Sequence, residues 1–342
     1  MNRAGVTAAV ILALLVLSVV AAVSFGAVNV PFGRTAAILW HAAAGGAPGD
    51  WPPWQEAVLV SVRLPRVVLA LVTGGGLAVA GAVMQGLFRN PMADPGLIGV
   101  SGGAAFGAVT ALYATGAAVA HLTVPAAAFA GALICAFAVY ALATSRGKTP
   151  VSTLLLAGIA VAGIASAATS FVLSLSLAEW EVGRQMLGWL MGGLDGRSWQ
   201  HVAMAAPIVV IGSAWLLVHA RDLDVLLTGE ESAMSVGVDV PRVKRTLVVL
   251  ASLVTAATVA VMGVVGFVGL MVPHIVRLLV GPQHRRLLPA SFLAGALFLT
   301  WADLAIRVLP VSELRLGVVT ALTGGPFFLY LLLRHKRSIG TL

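Results

Sequence analysis

The sequence predicts an all-α polytopic membrane protein with ten transmembrane helices. Three observations lead there. Of 342 residues, 59% are hydrophobic and only 10% are charged, against about 25% charged in an ordinary soluble domain. The apolar residues fall in repeated runs near the roughly 20 residues needed to cross a bilayer core. These runs are apolar on all sides, whereas the helices of a large soluble protein keep a polar face. The net charge of +8 does not indicate nucleic acid, because the basic residues sit at the ends of the runs without interleaved aromatics. One cysteine, Cys135, lies in an apolar run, which excludes a disulfide framework and a thiolate metal site.

The first run, Met1–Val28, follows Arg3 and is too long for a signal-peptide core. It is expected to remain as an uncleaved span. Pro31–Gln55 reads as an irregular connection, with Gly45-Gly46, Pro48, Pro52-Pro53 and three tryptophans suited to an interfacial belt. Span two covers Ala57–Gly86, interrupted early by Arg63, Pro65 and Arg66. Asn90-Pro91 and Asp94-Pro95 then break the helix, since a residue before proline is pushed out of the α region. Span three is expected from Gly96, with Gly99, Gly103 and Gly107 forming a face of bare backbone for close helix contact. Span four is Leu122–Ala143. The loop after it holds Gly147-Lys148-Thr149, like the tail of a phosphate-binding loop. The glycine such a loop needs five positions before Gly147 is Leu142, so the chain lacks a nucleotide site of its own. Span five, Val151–Leu177, carries Gly158, Ala162 and Ser166 on one face. A short interfacial helix is expected next, with turns at Gly192-Gly193 and Asp195-Gly196. Span six is His201–His219.

Arg221–Arg245 breaks the pattern. Arg221, Asp222, Asp224, Glu230, Glu231, Asp239, Arg242, Lys244 and Arg245 crowd into it. Pro241 suits a first helical position, with Asp239 as its cap. Span seven is Thr246–Val265. Gly266, Gly269 and Pro273 then predict a hairpin and a shortened span eight. Span nine is Leu288–Val308, with Asp303 and Arg307 near its far end, and span ten is Leu316–Leu333. Ten spans place both termini on one side. That side holds fourteen Lys and Arg; the other holds seven, namely Arg34, Arg63, Arg66, Arg184, Arg197, Arg307 and Arg315. The excess marks the cytoplasm and puts Arg221–Arg245 there. Spans two to five and seven to ten enter from opposite faces, as inverted repeats do.

Five stretches closely resemble the iron-chelate and vitamin B12 permeases of bacterial ABC importers. They are RLPRVVLALVTGGGLAVAGAVMQGLFRNPMADPGLIGVSGGAAFG (Arg63–Gly107), WLMGGLDGRSW (Trp189–Trp199), LTGEESAMSVGVDV (Leu227–Val240), GFVGLMVPHIVRLL and its continuation (Gly266–Val308), and ELRLGVVTALTGGPFFLYLL (Glu313–Leu332). The resemblance implies a type II ABC importer permease fold, one domain over residues 1–342, in a bacterial inner membrane with both termini cytoplasmic. It implies a second copy of the chain, two ATPase subunits and a periplasmic substrate-binding protein as partners. ATP and Mg would sit on the ATPase; this chain would bind no cofactor and catalyse no reaction.

By the same resemblance, short helices near Leu223–Leu227 and Glu230–Val236 would enter a groove of the ATPase. Their contacts would be Leu223, Leu226, Gly229, Glu230, Glu231, Ala233, Val236 and Gly237. A merely solvated charge run is the alternative. Arg63, Arg66 and Arg307 match positions that meet carboxylates of the binding protein, which a guanidinium fork suits; anchoring at lipid head groups is the alternative. The path would follow the dimer axis past Gly158, Ala162 and Ser166, gated at Thr149, Pro150, Val151 and Ser152. A smooth apolar wall would let a bulky ligand leave, although such small residues also serve helix packing.

Haem, ferric siderophore and vitamin B12 are the cargo classes. Haem is favoured because two copies of Arg184 near the outer mouth would meet its propionates; an ordinary interfacial arginine is the alternative. His121, His201 and His274 read as structural. An ion-coupled secondary transporter would also use inverted repeats and broken helices, but it needs intramembrane carboxylates, and only Asp303 lies near a span.

Overall fold

The computed structural model describes residues 3–26, 28–45, 49–115, 120–145, 149–176, 179–309 and 314–339. Arg146, Gly147 and Lys148 of the phosphate-loop look-alike, and Glu313, lie outside these ranges. Among the described residues the elements are helical: α1 Arg3–Ser24, α2 Phe32–Ala44, α3 Pro53–Ala57, a π segment Val58–Arg63, α4 Leu64–Leu87, a 3-10 turn Pro95–Ile98, α5 Val100–Thr115, α6 Ala120–Ala143, α7 Val151–Leu175, α8 Trp180–Leu190, α9 Trp199–Val218, α10 Ala220–Leu226, α11 Glu230–Ser235, α12 Val240–Met262, α13 Val268–Val280, α14 His284–Val308 and α15 Leu316–Ile339. Six helical stretches are long and apolar enough to cross a membrane: Pro53–Leu87, His121–Ala143, Val151–Leu175, Trp199–Val218, Val240–Met262 and His284–Val308. Shorter apolar helices are Ala13–Ser24, Val100–Thr115, Val268–Val280 and Leu316–Leu331.

α4 and α12 form the centre. Their apolar windows are 83% and 78% buried, whereas that of α7 is 17% buried and stands at the rim. α4 packs on α14, α9, α12 and α13. Glycine makes this possible. A methyl group on Gly74 would strike the carbonyl of Gly295, one on Gly295 would strike the carbonyl of Gly74, and one on Gly81 would strike the carbonyl of Gly269. The helices therefore meet backbone to backbone, the close approach that holds helices together in lipid.

Three expectations are corrected. Residues between Pro31 and Gln55 are not irregular throughout: α2 occupies thirteen of them, and its Thr35 and Ile38 are buried. Span two is not interrupted at Pro65. The π segment hands over smoothly to α4, with the Leu64 N–H donating to the Leu59 carbonyl five residues back. The next donor in that register would be Pro65, which has no N–H. The Val60 carbonyl it would have served accepts from Trp199 Nε1 instead, at 3.0 Å. Span three starts at Val100 rather than Gly96. Asp94 caps a separate 3-10 turn by accepting from the Gly96 N–H at 2.8 Å. Gly99 ends that turn with φ 78°, a conformation in which a side chain is strained. Gly103 and Gly107 do meet α6, at the carbonyls of Gly131 and Ala127.

α14 starts four residues before the expected Leu288, and α15 runs six residues past the expected Leu333. The short helix after span five is α8, α12 starts with Pro241 in its first turn, and Asp239 caps it by accepting from the Arg242 N–H at 3.2 Å.

Candidate functional site

The charged stretch folds into α10, α11 and the first turn of α12. α11 lies within a residue of its expected position, and α10 starts three residues before the expected Leu223. Their faces differ from expectation. Leu223, Leu226 and Ala233 are fully buried against the body of the protein, so they hold the helices in place and offer nothing to a partner. Gly229 has φ 122° and precedes α11, and Gly237 has φ 88° and follows it. The outward face is Glu231, Leu227, Met234 and Val236, with Val236 69% and Met234 53% exposed. Leu227 and Met234 were missed in the sequence because a six-residue helix has too few turns to reveal its buried side.

Side chains tie these helices to the spans. Asp224 on α10 accepts from the backbone N–H of His284 at 3.0 Å and lies 2.7 Å from His284 Nδ1. It thereby occupies the donor end of α14, where backbone N–H groups lack helical partners. Lys244 on α12 is buried. Its Nζ donates to Glu230 Oε1 at 2.5 Å and to the Thr149 carbonyl at 3.2 Å. Arg89 lies 4.0 Å from the same Glu230 oxygen. One ammonium thus joins α11 to the segment before α7. Pro150 is the N-cap of α7, Val151 begins it, Ser152 is exposed, and Thr149 Oγ1 lies 2.9 Å from Thr144 Oγ1.

At the other end, three arginines gather. Arg66 Nε donates to both oxygens of the buried Asp303, at 2.8 and 3.0 Å, and its Nη1 donates to Asp195 Oδ1 at 2.6 Å. Arg307 Nε lies 3.1 Å from Asp303 Oδ2, and its Nη1 donates to the Ala22 and Phe25 carbonyls at 2.8 and 3.3 Å. Arg63 donates to the carbonyls of Val23 and Ser24 at 2.9 and 2.8 Å and to that of Val28. The last carbonyls of a helix have no internal donor and carry its negative end; here Arg63 and Arg307 serve those of α1. The three arginines expected to meet the binding protein are therefore engaged within the chain. Arg63 is buried with Nη1 and Nη2 on backbone carbonyls, and Arg66 and Arg307 turn inward onto Asp303. The 303–307 spacing on one helix was readable as an ion pair; the Arg66 partner, 237 positions away, was not.

The small residues of α7 divide. A methyl group on Gly158 would strike the Leu97 carbonyl, so Gly158 is a packing residue rather than a wall. Ala162 is half-buried against Gly102, and Ser166 is exposed. Arg184, on α8, donates from Nη2 to Glu181 Oε1 at 3.2 Å. The Gln185 amide and the Arg184 guanidinium hold the Glu181 carboxyl below its ordinary value. Arg184 also lines a cavity of 330 Å³ with Arg197 and Arg315.

Comparison with known proteins bears on the whole chain. Residues 14–334 match the FecCD transport family. The cobalamin import system permease BtuC of Halobacterium salinarum is 50% identical over 281 residues, 82% of this chain and 74% of that protein. The hemin transport system permease HmuU of Yersinia pestis is 38% identical over 96% of this chain and 95% of its own. A solved structure described as an inward-facing conformation of a metal-chelate type ABC transporter superposes with a TM-score of 0.81 at 30% identity, covering 96% of this chain and 98% of that one. A family match over nearly the whole length, helices fit to cross a membrane and the shared fold lead to one conclusion: the chain belongs to the FecCD transport family and is a multi-pass membrane permease.

Proposed function

We propose that the chain is the transmembrane subunit of an ATP-driven importer that works as a homodimer with two ATPase subunits and a periplasmic binding protein. The six long and four shorter apolar helices serve as ten spans, with both termini cytoplasmic in the inner membrane. The observation that carries the coupling is the Lys244 bridge between Glu230 and the Thr149 carbonyl. ATPase movement felt at α11 reaches the start of α7 through one side chain. Asp224 passes the movement of α10 to α14 in parallel. Differential contact of these helices with the ATPase in its two states supplies the energy. The exposed face of α7, including Ser166, with α15, lines the path, and Thr149–Ser152 forms its gate. At the outer end, the exposed Asp195 that now holds Arg66 marks where a carboxylate of the binding protein exchanges in; Arg307 and Arg63 brace that site from behind.

The cargo is a metal-chelate macrocycle, and a corrinoid of the cobalamin type is the first reading. The cobalamin permease relative shares 50% identity, against 38% for the hemin relative. Haem, expected from Arg184, is the second reading; pairing with Glu181 leaves that guanidinium less free for a propionate. Proteoliposomes holding the permease and its ATPase should import cyanocobalamin on ATP addition, and hemin more slowly. Replacing Glu230 and Glu231 together with lysine should abolish import and transport-stimulated ATP hydrolysis. Unchanged import in that double variant would remove the coupling role, and import driven by an ion gradient without the ATPase would remove the importer reading.

A further inference from the structure

Three residues of one cavity wall each carry a buried side-chain N–H without an acceptor among the described residues: Trp189 Nε1, Arg197 Nε and Arg315 Nε. All three residues line the 330 Å³ cavity that also takes in Arg184, His121 and His201. A buried donor left unpaired is costly, and more so when it carries charge. The cavity is also one-sided in charge. Arg184 has Glu181 on its own helix at 3.2 Å. Asp195, the carboxylate among the lining residues, gives Oδ1 to Arg66 at 2.6 Å and meets Arg315 Nη1 only at 3.5 Å. Arg197 Nη1 lies 3.4 Å from His201 Nε2, which does nothing for its charge. Burial lowers the Arg197 guanidinium from its ordinary value; Asp195 partly opposes this, and the adjacent Arg315 adds a smaller lowering. Three guanidiniums and two imidazoles thus line the cavity with one carboxylate, Asp195, which is shared with Arg66.

We infer that this cavity binds a small oxyanion, a carboxylate or phosphate group, at the end of the molecule away from the coupling helices. The cavity takes in His201 near the start of α9, and the twenty residues of α9 rise about 30 Å before α10 begins. Guanidinium forks match carboxylate and phosphate oxygens bidentately. At 330 Å³ the cavity takes such a group and not a whole corrinoid or haem. The oxyanion is either free in the outer medium or borne by the cargo. The inference stands on the cavity itself and not on the importer reading.

The test uses the full chain purified in a maltoside detergent, which carries no phosphate. Titration with inorganic phosphate, and separately with citrate, is followed by thermal unfolding and calorimetry, with chloride at matched ionic strength as reference. Saturable binding is expected in the wild type. Arg197→Gln and Arg315→Gln should each weaken it at least tenfold, Arg197→Lys should restore part of it, and Arg242→Gln should leave it unchanged. Cyanocobalamin, which carries one phosphodiester, assigns the source: competition with phosphate places the oxyanion on the cargo, and independent binding makes it a free anion. A response no larger than that to chloride, or one equal in all variants, overturns the inference and leaves only water at these donors.

Discussion

Asp94 shows how much a single side chain can be asked to do. Its carboxylate caps the 3-10 turn before α5, yet burial pushes its pKa above the ordinary aspartate value, with the Gly96 N–H only partly opposing. The folded state therefore holds this proton more tightly than the unfolded state does. Below the ordinary aspartate value, near 3.9, the group is protonated in both states and costs nothing. As pH rises toward the higher folded value, stability is lost, and above it the loss is constant. Asp94→Asn keeps the acceptor and removes the charge. Its melting temperature should match wild type at pH 3.5 and exceed it at pH 7, as measured by thermal unfolding in detergent; the same difference at both pH values would locate the effect elsewhere. The cap was legible in the sequence because Asp-Pro announces a turn locally. The shift was not, because it comes from atoms of other helices that close over the carboxylate.

Among elements, the crossing of α4 with α13 is the tightest described. Gly81→Ala places a methyl group into the carbonyl of Gly269, backbone against backbone, where neither side yields easily. It should destabilise the protein by about 3 kcal/mol, the upper end of overpacking costs, seen as a lowered melting temperature. Gly163→Ala, where nothing lies within 4 Å of the added methyl group, should be neutral or gain up to about 1 kcal/mol from helix propensity. Equal losses at the two sites would show that helix flexibility, not the crossing, is what Gly81 supplies. Element existence was largely legible, since runs of apolar residues mark spans without tertiary help. Two kinds of detail were not. α2 is a short helix whose prolines and glycines lie mostly at its ends, so composition hid it. The π segment depends on Trp199, whose indole serves Val60 across 139 positions, and no local pattern encodes that.

For the molecule as a whole, the proposed coupling runs through Lys244. Lys244→Met keeps the buried stem and removes the ammonium, so the fold should persist while Glu230 and the Thr149 carbonyl part. Loss of a hydrogen bond to a charged group, about 1.5–3 kcal/mol, should lower import per ATP hydrolysed by about tenfold or more, with basal hydrolysis little changed. Import at the wild-type ratio would show that α10 and Asp224 carry the coupling alone. The sequence placed Glu230 and Thr149 in separate roles, coupling and gate, and the residue joining them lies 14 positions from one and 95 from the other. The three arginines at the other end are instructive in the opposite sense: their charge was legible, and their direction was not, because Arg66 follows the distant Asp303 and Asp195 while Arg63 and Arg307 also follow the unfilled carbonyls of α1. That arrangement has a consequence for biosynthesis. The Arg307 donor for Ala22 is made 285 residues later, roughly 15–60 s at ordinary translation speeds of about 5–20 residues per second. Until then the Ala22 carbonyl must take its donor from water, so the first helix gains its final cap only when α14 has been made.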